Sequence, residues 1–228
     1  MITLAVDTSV TTTSVALLED DDIRAELFIH TGRNHAEVLL PAIERLLASV
    51  GIEKTQIDLF AVTVGPGSFT GLRVGISTVK GLAFVLQKPV VGVCTLDALV
   101  LNVAHADTRV TICPMVDAGR GEVYTALYLP SGPDTYEKTL QECVVRPDGF
   151  LGAISGEVVF LGGGAEKYRT LINDVLPGRS SFAPSRFNHV RACAVGIVGR
   201  KRFCNSDISD IITLTPDYLR ASYATEID

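Results

Sequence analysis

The chain of 228 residues contains no tryptophan, two methionines and four histidines, and its gaps exclude several chemistries at the outset. The histidines are His30, His35, His105 and His189, and no two have metal-ligand spacing such as H-E-x-x-H. No G-x-S-x-G elbow is present and no Ser/His/Asp order stands out, so nothing declares a nucleophile. The five cysteines, Cys94, Cys113, Cys143, Cys193 and Cys204, are odd in number and form no C-x-x-C pair. Neither a disulfide framework nor a zinc ribbon is expected, and the thiols read as reduced and mostly buried. No apolar run approaches the ~20 residues of a membrane span, and the opening MITLAVDTS has neither a basic region nor a cleavage site. The expectation is a cytoplasmic soluble protein with no membrane contact.

Positive charge is also short. Twenty basic residues face twenty-six acidic ones, for a net charge of −6 and an isoelectric point near 5.2. Neutralising phosphates needs clustered Lys and Arg, so strong nucleic-acid binding by the chain alone is not expected. The one basic cluster, Arg200-Lys201-Arg202, reads as favourable charge at a helix C-terminus. What remains, 47% hydrophobic and 20% charged, is a globular composition large enough for one big domain or two lobes.

Three β-like runs open the chain at 2–7, 12–18 and 24–30, the last two separated by an acidic turn at 19–22. A helix is predicted over 34–50, with Asn34 as cap and Gly51 as stop. A buried strand at 59–64 leads into Gly65-Pro66-Gly67-Ser68, then a helix to 87, a strand at 90–94 and a helix at 95–104. The second half repeats the order more loosely. Strands are predicted at 110–116, ending in Asp117, and at 122–129, followed by a loop over 130–138 and strands at 139–145 and 158–161. A helix from Ala165, a last helix at 190–203 and an extended tail at 214–220 complete the chain. Val6, Asp7, Ala16 and Leu17 match Val116, Asp117, Ala126 and Leu127 at a constant offset. Together with the shared element order, this argues for an internal repeat with its boundary near 104–109.

The sharpest local feature is the glycine loop. Glycines let backbone approach a ligand, and free N–H groups at a helix start favour an anion. However, Gly65, Gly67 and Gly71 give G-x-G-x-x-x-G, one residue too long for the dinucleotide fingerprint, and no Walker lysine follows. The competing reading is a turn built by Pro66 and capped by Ser68. Asp7 and Asp117 could each hold a metal-bound water beside a phosphate, or simply complete an Asx turn. Gly162-Gly163-Gly164 could pass under an adenine or make a close strand–helix turn. His35, beside Glu37 in a first helical turn, reads as a solvated or interface residue rather than a base.

The segments AVDTS (5–9), NHAEVLLP (34–41), GPGSFTGLRVGISTVKGLA (65–83), VDAGRGEVYTALY (116–128) and PDYLR (216–220) resemble the TsaB (YeaZ) family across nearly the whole chain. The GPGSFTGLR segment is specific to it. The resemblance implies an α/β, duplicated actin-like (ASKHA) fold, two lobes each with a mixed β-sheet flanked by helices, divided at 1–106 and 107–228. It also implies a partner subunit in making threonylcarbamoyladenosine on tRNA. The related transferase, TsaD, carries two metal-ligating histidines four residues apart on the helix after the strand equivalent to 90–94. Thr95 and Leu99 stand at those positions here, which implies a non-catalytic paralogue without a metal. Many relatives read GDGA where this chain has Gly162-Gly163-Gly164-Ala165, with Gly163 in place of the aspartate, so the resemblance does not carry a nucleotide site onto that lobe.

The expectations that follow are a TsaD paralogue as partner, with a TsaE-type ATPase in the larger complex and a homodimer when TsaD is absent. No cofactor is expected beyond ATP or ADP at the junction of the complex. For the docking surface, two helices are apolar on more than one side. Leu39, Ile43 and Leu46 on the first, and Leu72, Ile76, Val79 and Ala83 on the second, are the expected contacts. Gly71 and Gly75 would let a partner helix approach, or would pack inside their own lobe. The rival function is an independent ATPase, kinase-like enzyme or peptidase on the same frame.

Overall fold

The computed structural model describes residues 1–32, 34–103, 110–132 and 135–219. The first sheet contains β1 (Ile2–Asp7), β2 (Thr12–Glu19) and β3 (Asp22–His30), then, after α1 (His35–Val50), β4 (Leu59–Gly65), and after α2 (Phe69–Leu86), β5 (Val90–Cys94). Its order is β3-β2-β1-β4-β5, antiparallel in the β1–β2–β3 meander and parallel from β1 through β4 to β5. A short α3 (Thr95–Val100) follows. The second sheet is built from β6 (Thr111–Gly119), β7 (Glu122–Gly132), β8 (Thr135–Val145), α4 (Pro147–Leu151), β9 (Val158–Leu161), α5 (Gly163–Lys167), α6 (Arg169–Val175) and β10 (Ser180–Phe182). Its order, β10-β9-β6-β7-β8, is the same topology read from the other edge. α7 (Ala192–Cys204) is the last regular element among the described residues.

The pleat of the first sheet explains its cover. Leu4, Val6, Phe60 and Val62 belong to one core with Leu39, Ile43, Leu46, Ile76, Val79 and Ala83 of α1 and α2. Alternate residues of the same strands, Ala5 and Ala61, point to the opposite face, where α7 lies against β1, β4, β2 and β5. Gly196 and Gly199 permit that approach, since a methyl group at either would overlap Leu18 or Ala61. Both faces of β1 and β4 are therefore covered, and the runs are largely hydrophobic, interrupted by the buried Thr3, Asp7 and Thr63.

The expected division at 1–106 and 107–228 is thus corrected. Met1–Ala98 and Val190–Pro216 form one compact unit, and the other is built on Leu99–His189. A boundary placed by repeat arithmetic cannot anticipate that the last helix packs on the first sheet. Residues 104–109 lie outside the described residues.

Helix ends follow local chemistry only in part. Gly51 closes α1 in the left-handed conformation (φ 68°) as expected, but the Asn34 side chain makes no capping bond. Ser68 does cap α2, accepting from Gly71 N at 3.2 Å. α7 borrows its cap from the sheet: Ser14 Oγ accepts from Ala192 N at 3.0 Å, and Glu26 accepts from Cys193 N at 3.2 Å while pairing with Arg191. In its last turns, Arg200 pairs with Asp21 and Arg202 with Asp207. By length and composition α2 could cross a membrane, but its buried stripe packs on the sheet, which makes it a core helix.

Three other expectations change. The predicted loop at 130–138 is mostly strand, because β7 and β8 extend past it and stack Tyr128 on Tyr136 edge to face at 5.1 Å. β6 does not stop at Asp117 but continues to Gly119. The 95–104 helix is regular only to Val100.

Candidate functional site

The chain leaves β1 as Asp7-Thr8-Ser9 and runs directly onto the start of α2. All three residues are fully buried. Asp7 Oδ1 accepts from Ser9 Oγ at 2.6 Å, Ser9 N at 3.1 Å and Thr63 Oγ1 at 2.9 Å. Asp7 Oδ2 is buried with no partner among the described residues. Burial pushes the Asp7 carboxyl up to about 6 from 3.8, and the hydrogen bonds from Ser9 and Thr63 oppose it without cancelling it. Asp7 therefore forms the Asx-type turn, with its carboxyl buried and bonded within the first unit.

The glycine loop closes over the same residues. Ser68 N, an amide that a bound phosphate would need, donates instead to Ser9 O at 2.7 Å. Side chains at Gly67 or Gly71 would overlap the backbone carbonyls of Ser9 and Thr8, and one at Gly75 would meet the Thr8 hydroxyl. Thr8 Oγ1 in turn donates to Gly71 O at 2.7 Å. Gly65 adopts φ 133° before a cis Pro66, and Pro66 is itself buried. Of the two readings of this loop, the capped and packed turn is the one the geometry favours. The glycines remove side chains so that the chain can lie on itself.

His35 completes the cluster. It is buried, not solvated as expected, and its Nδ1 is 2.9 Å from Thr13 Oγ1. Burial lowers its pKa below the usual imidazole value, against a hydrogen bond to the Val10 backbone. The ring thus ties the α1 start to the loop after β1. Sequence reasoning missed the hydroxyl shell of Thr8, Ser9, Thr13 and Thr63. Its signal was Asp7-Thr8-Ser9, an aspartate two residues before a serine.

In the second unit the equivalent carboxylate behaves differently. The Asp117 side chain is 42% exposed and pairs with Lys167 Nζ at 2.8 and 2.9 Å. Its Oδ1 also accepts from Gly119 N at 3.1 Å, which is again an Asx-type bond. Gly162, with φ 97°, would place a methyl group against Met115 O, and Gly164 packs on the same residue. Those two glycines serve a close strand–helix turn, and only Gly163 is open.

The expected docking residues are corrected by their burial. Leu39, Ile43, Leu46, Leu72, Ile76, Val79 and Ala83 all lie in the first unit's own core, at most 3% exposed. Gly71 and Gly75 pack on Thr8 as just described, so the internal alternative holds for them. The outward faces of these helices carry other apolar side chains: Leu40 at 45% exposed, Phe69 at 39%, Phe84 at 72% and Val85 at 78%. A periodic stripe marks the side a helix turns to its own core, so picking the most regular stripe picked the inner face.

A family model described as "TsaD: tRNA N6-adenosine threonylcarbamoyltransferase" matches residues 29–226. The tRNA threonylcarbamoyladenosine biosynthesis protein TsaB of Bacillus subtilis is 32% identical, over 98% of this chain and 96% of the relative. The chain belongs to the TsaB family. TsaB of Escherichia coli is 33% identical over 74% of each chain. The solved structure of YeaZ from Pseudomonas aeruginosa, 26% identical, superposes with a TM-score of 0.81, covering 96% of this chain and 99% of that one. A ROK hexokinase from Thermus thermophilus, 11% identical with a TM-score of 0.52, shares the fold alone. Two mixed sheets of matching order, flanked by helices, are the duplicated actin-like architecture expected. TsaB proteins are biosynthesis proteins for threonylcarbamoyladenosine on tRNA, and this chain is one of them by descent. In this TsaB chain Thr95 and Leu99 are both buried, at 0% and 1% exposure. Neither offers an imidazole. The PDYLR segment reaches Arg220, which lies outside the described residues.

Proposed function

We propose that this chain is a non-catalytic subunit that docks on a TsaD-type transferase and supports it in modifying tRNA. The observation that carries the reading is that the glycine loop and Asp7 Oδ1, the features the sequence offered for a phosphate or metal, are engaged by the chain itself. Ser68 N is bonded to Ser9 O, Asp7 Oδ1 takes three bonds from its own chain, and Gly67 and Gly71 are filled by the 8–9 backbone. Thr95 and Leu99 supply no metal ligand. On this reading the partner meets the outward faces of α1 and α2 through Leu40, Phe69, Phe84 and Val85, and a second copy uses the same surface when the transferase is absent. The chain itself carries no resident cofactor or metal, any ATP or ADP belongs to the junction of the assembled complex, and a TsaE-type ATPase belongs to the larger complex. The net charge of −6 supports the absence of strong tRNA binding by this subunit alone.

The test is reconstitution. The chain alone is expected to form no threonylcarbamoyladenosine and to hold no stoichiometric metal, while adding it to its TsaD partner raises modification. Leu40→Glu with Phe84→Glu should stay folded and lose co-elution with TsaD; wild-type co-elution by that variant would move the interface elsewhere. The competing reading, an independent ATPase, kinase-like enzyme or peptidase, draws on the buried Asp7 with one unpartnered oxygen. Calorimetry with ATP and magnesium decides it: sub-micromolar binding with hydrolysis abolished by Asp7→Ala would replace the scaffold reading.

A further inference from the structure

The chain beyond α7 does more than trail away. β5 is an edge strand of the first sheet, and its outer backbone groups would stand open. Residues 202–209 take them up. Ser209 N donates to Val90 O at 3.0 Å, Gly92 N donates to Ser209 Oγ at 3.0 Å, and Arg202 Nη1 donates to Gly92 O. Arg202 is itself held by Asp207, with Nε 2.7 Å from Oδ2. Further along, Asp210 turns the chain by accepting from Ile212 N and Leu214 N, each at 2.8 Å. Lys80 of α2 then fastens it, its Nζ 3.0 Å from both Ile212 O and Leu214 O. Ile211 and Leu214 pack on the same core as α1 and α2, and Leu214 lies over Gly92, a position a larger residue would crowd.

Only one residue of this stretch, Ser209, bridges to β5 in strand fashion. The edge is therefore closed by a single bridge, one arginine and one distant lysine latch rather than by a sixth strand. Such a cover has few buried contacts and opens at lower free energy than the sheet beneath it. The segment 208–214, ISDIITL, is rich in β-branched residues, and Ile208 and Ile212 face solvent at 49% and 80% exposure.

We infer that residues 205–214 form a releasable strap that guards the β5 edge, and that release bares a strand edge which a second copy of this chain occupies with its own strap, a contact additional to and separate from the one proposed for α1 and α2. The strap moves as a unit, so loosening its far end at Lys80 frees its near end at Gly92. Exchange of the strap between copies is the low-cost association open to such a segment, because every contact it makes within one copy is available in the other.

The experiment uses the full chain without any partner. Hydrogen exchange of the Gly92 amide is followed in wild type, Ser209→Ala and Lys80→Gln, with light scattering over a concentration series. Ser209→Ala removes the direct acceptor and sets the scale for a bared edge. Lys80→Gln touches the strap only at 212 and 214, and is expected to speed Gly92 exchange at least about tenfold and to shift the mass at high concentration above that of wild type. Unchanged Gly92 exchange in Lys80→Gln overturns the strap as a unit. Faster exchange with the wild-type mass at every concentration overturns the second copy as occupant.

Discussion

Two sheets of one topology carry an aspartate at the matching place, and the chain treats the two carboxylates in opposite ways. Asp7 is fully buried, bonded by Ser9 and Thr63, with its proton affinity raised by desolvation; Asp117 is exposed and paired with Lys167. The difference arises in the turn that follows. In the second unit Arg120 and Gly121 both adopt positive φ, 54° and 82°, and close a two-residue hairpin. The strands separate at a bulge between Asp117 and Gly119, so Met115 faces Thr125, whereas Ala5 faces Ala16 in the first unit. The repeat is thus out of register by one residue at its best-matching motif. In the first unit the longer loop at 8–11 reaches the α2 start and fills it. A tight turn leaves a carboxylate at the surface; a longer one folds over it.

The comparison is broken most severely by refilling the first unit. Gly71→Ala should cost about 3 kcal/mol or more, because its methyl group meets a backbone carbonyl rather than a movable side chain. Gly163→Ala, with nothing within 4 Å, should stay within about 1 kcal/mol of wild type. Urea titrations of both compare the two units directly, and equal losses would erase the distinction.

Protonation sharpens the contrast. The folded chain holds the Asp7 proton more tightly than the unfolded chain does, because burial lifts the pKa from 3.8 to about 6. This contribution is whole below pH 4, declines as pH rises from about 4 to 6, and is gone above that. Wild type should lose about 2–3 kcal/mol across the window that Asp7→Asn does not lose. A wild-type profile parallel to that of Asp7→Asn from pH 4 to 7 would mean that Asp7 is not desolvated. Ser68→Ala removes the α2 cap and should cost about 1 kcal/mol by thermal unfolding. The smallest effect belongs to Asp117→Asn, which breaks an exposed ion pair and should cost less than ~1 kcal/mol, vanishing at high salt. A loss as large as that at Gly71 would give Asp117 a buried role it lacks here.

Much of this architecture was legible because the signals were local. β1, β5 and β9 have the bounds their apolar runs predict, and α1 and α2 start or stop at the residues that Ser68 and Gly51 dictate. The exchange of α7 was not legible, since its partner strands lie far away in the chain and its amphipathicity is faint, with glycines where it meets the sheet. At the site, Asp7 and the glycine loop were found, and the Asx turn and capped turn were among the readings offered for them, but the sequence alone did not choose between those and a ligand site. A Gly-x-Gly pattern is equally compatible with a ligand and with a neighbouring loop, and only Ser9 in place distinguishes them. The docking residues were misread because helical periodicity reports burial before it reports exposure. Phe84 and Val85 stand out only once the inner face is known.

The position of α7 also sets a schedule. A ribosome delivers β1 long before Ala192, so the Ala5 and Ala61 face of the first sheet waits for its cover while the whole of Leu99–His189 is made. The unit begun second can therefore finish first, and the unit begun first depends on contacts of very large sequence separation, which form slowly. A nascent chain stalled before residue 190 would present an apolar sheet face to whatever it met, and the last helix, capped by Ser14 and Glu26 from the opening strands, is the piece that ends that exposure.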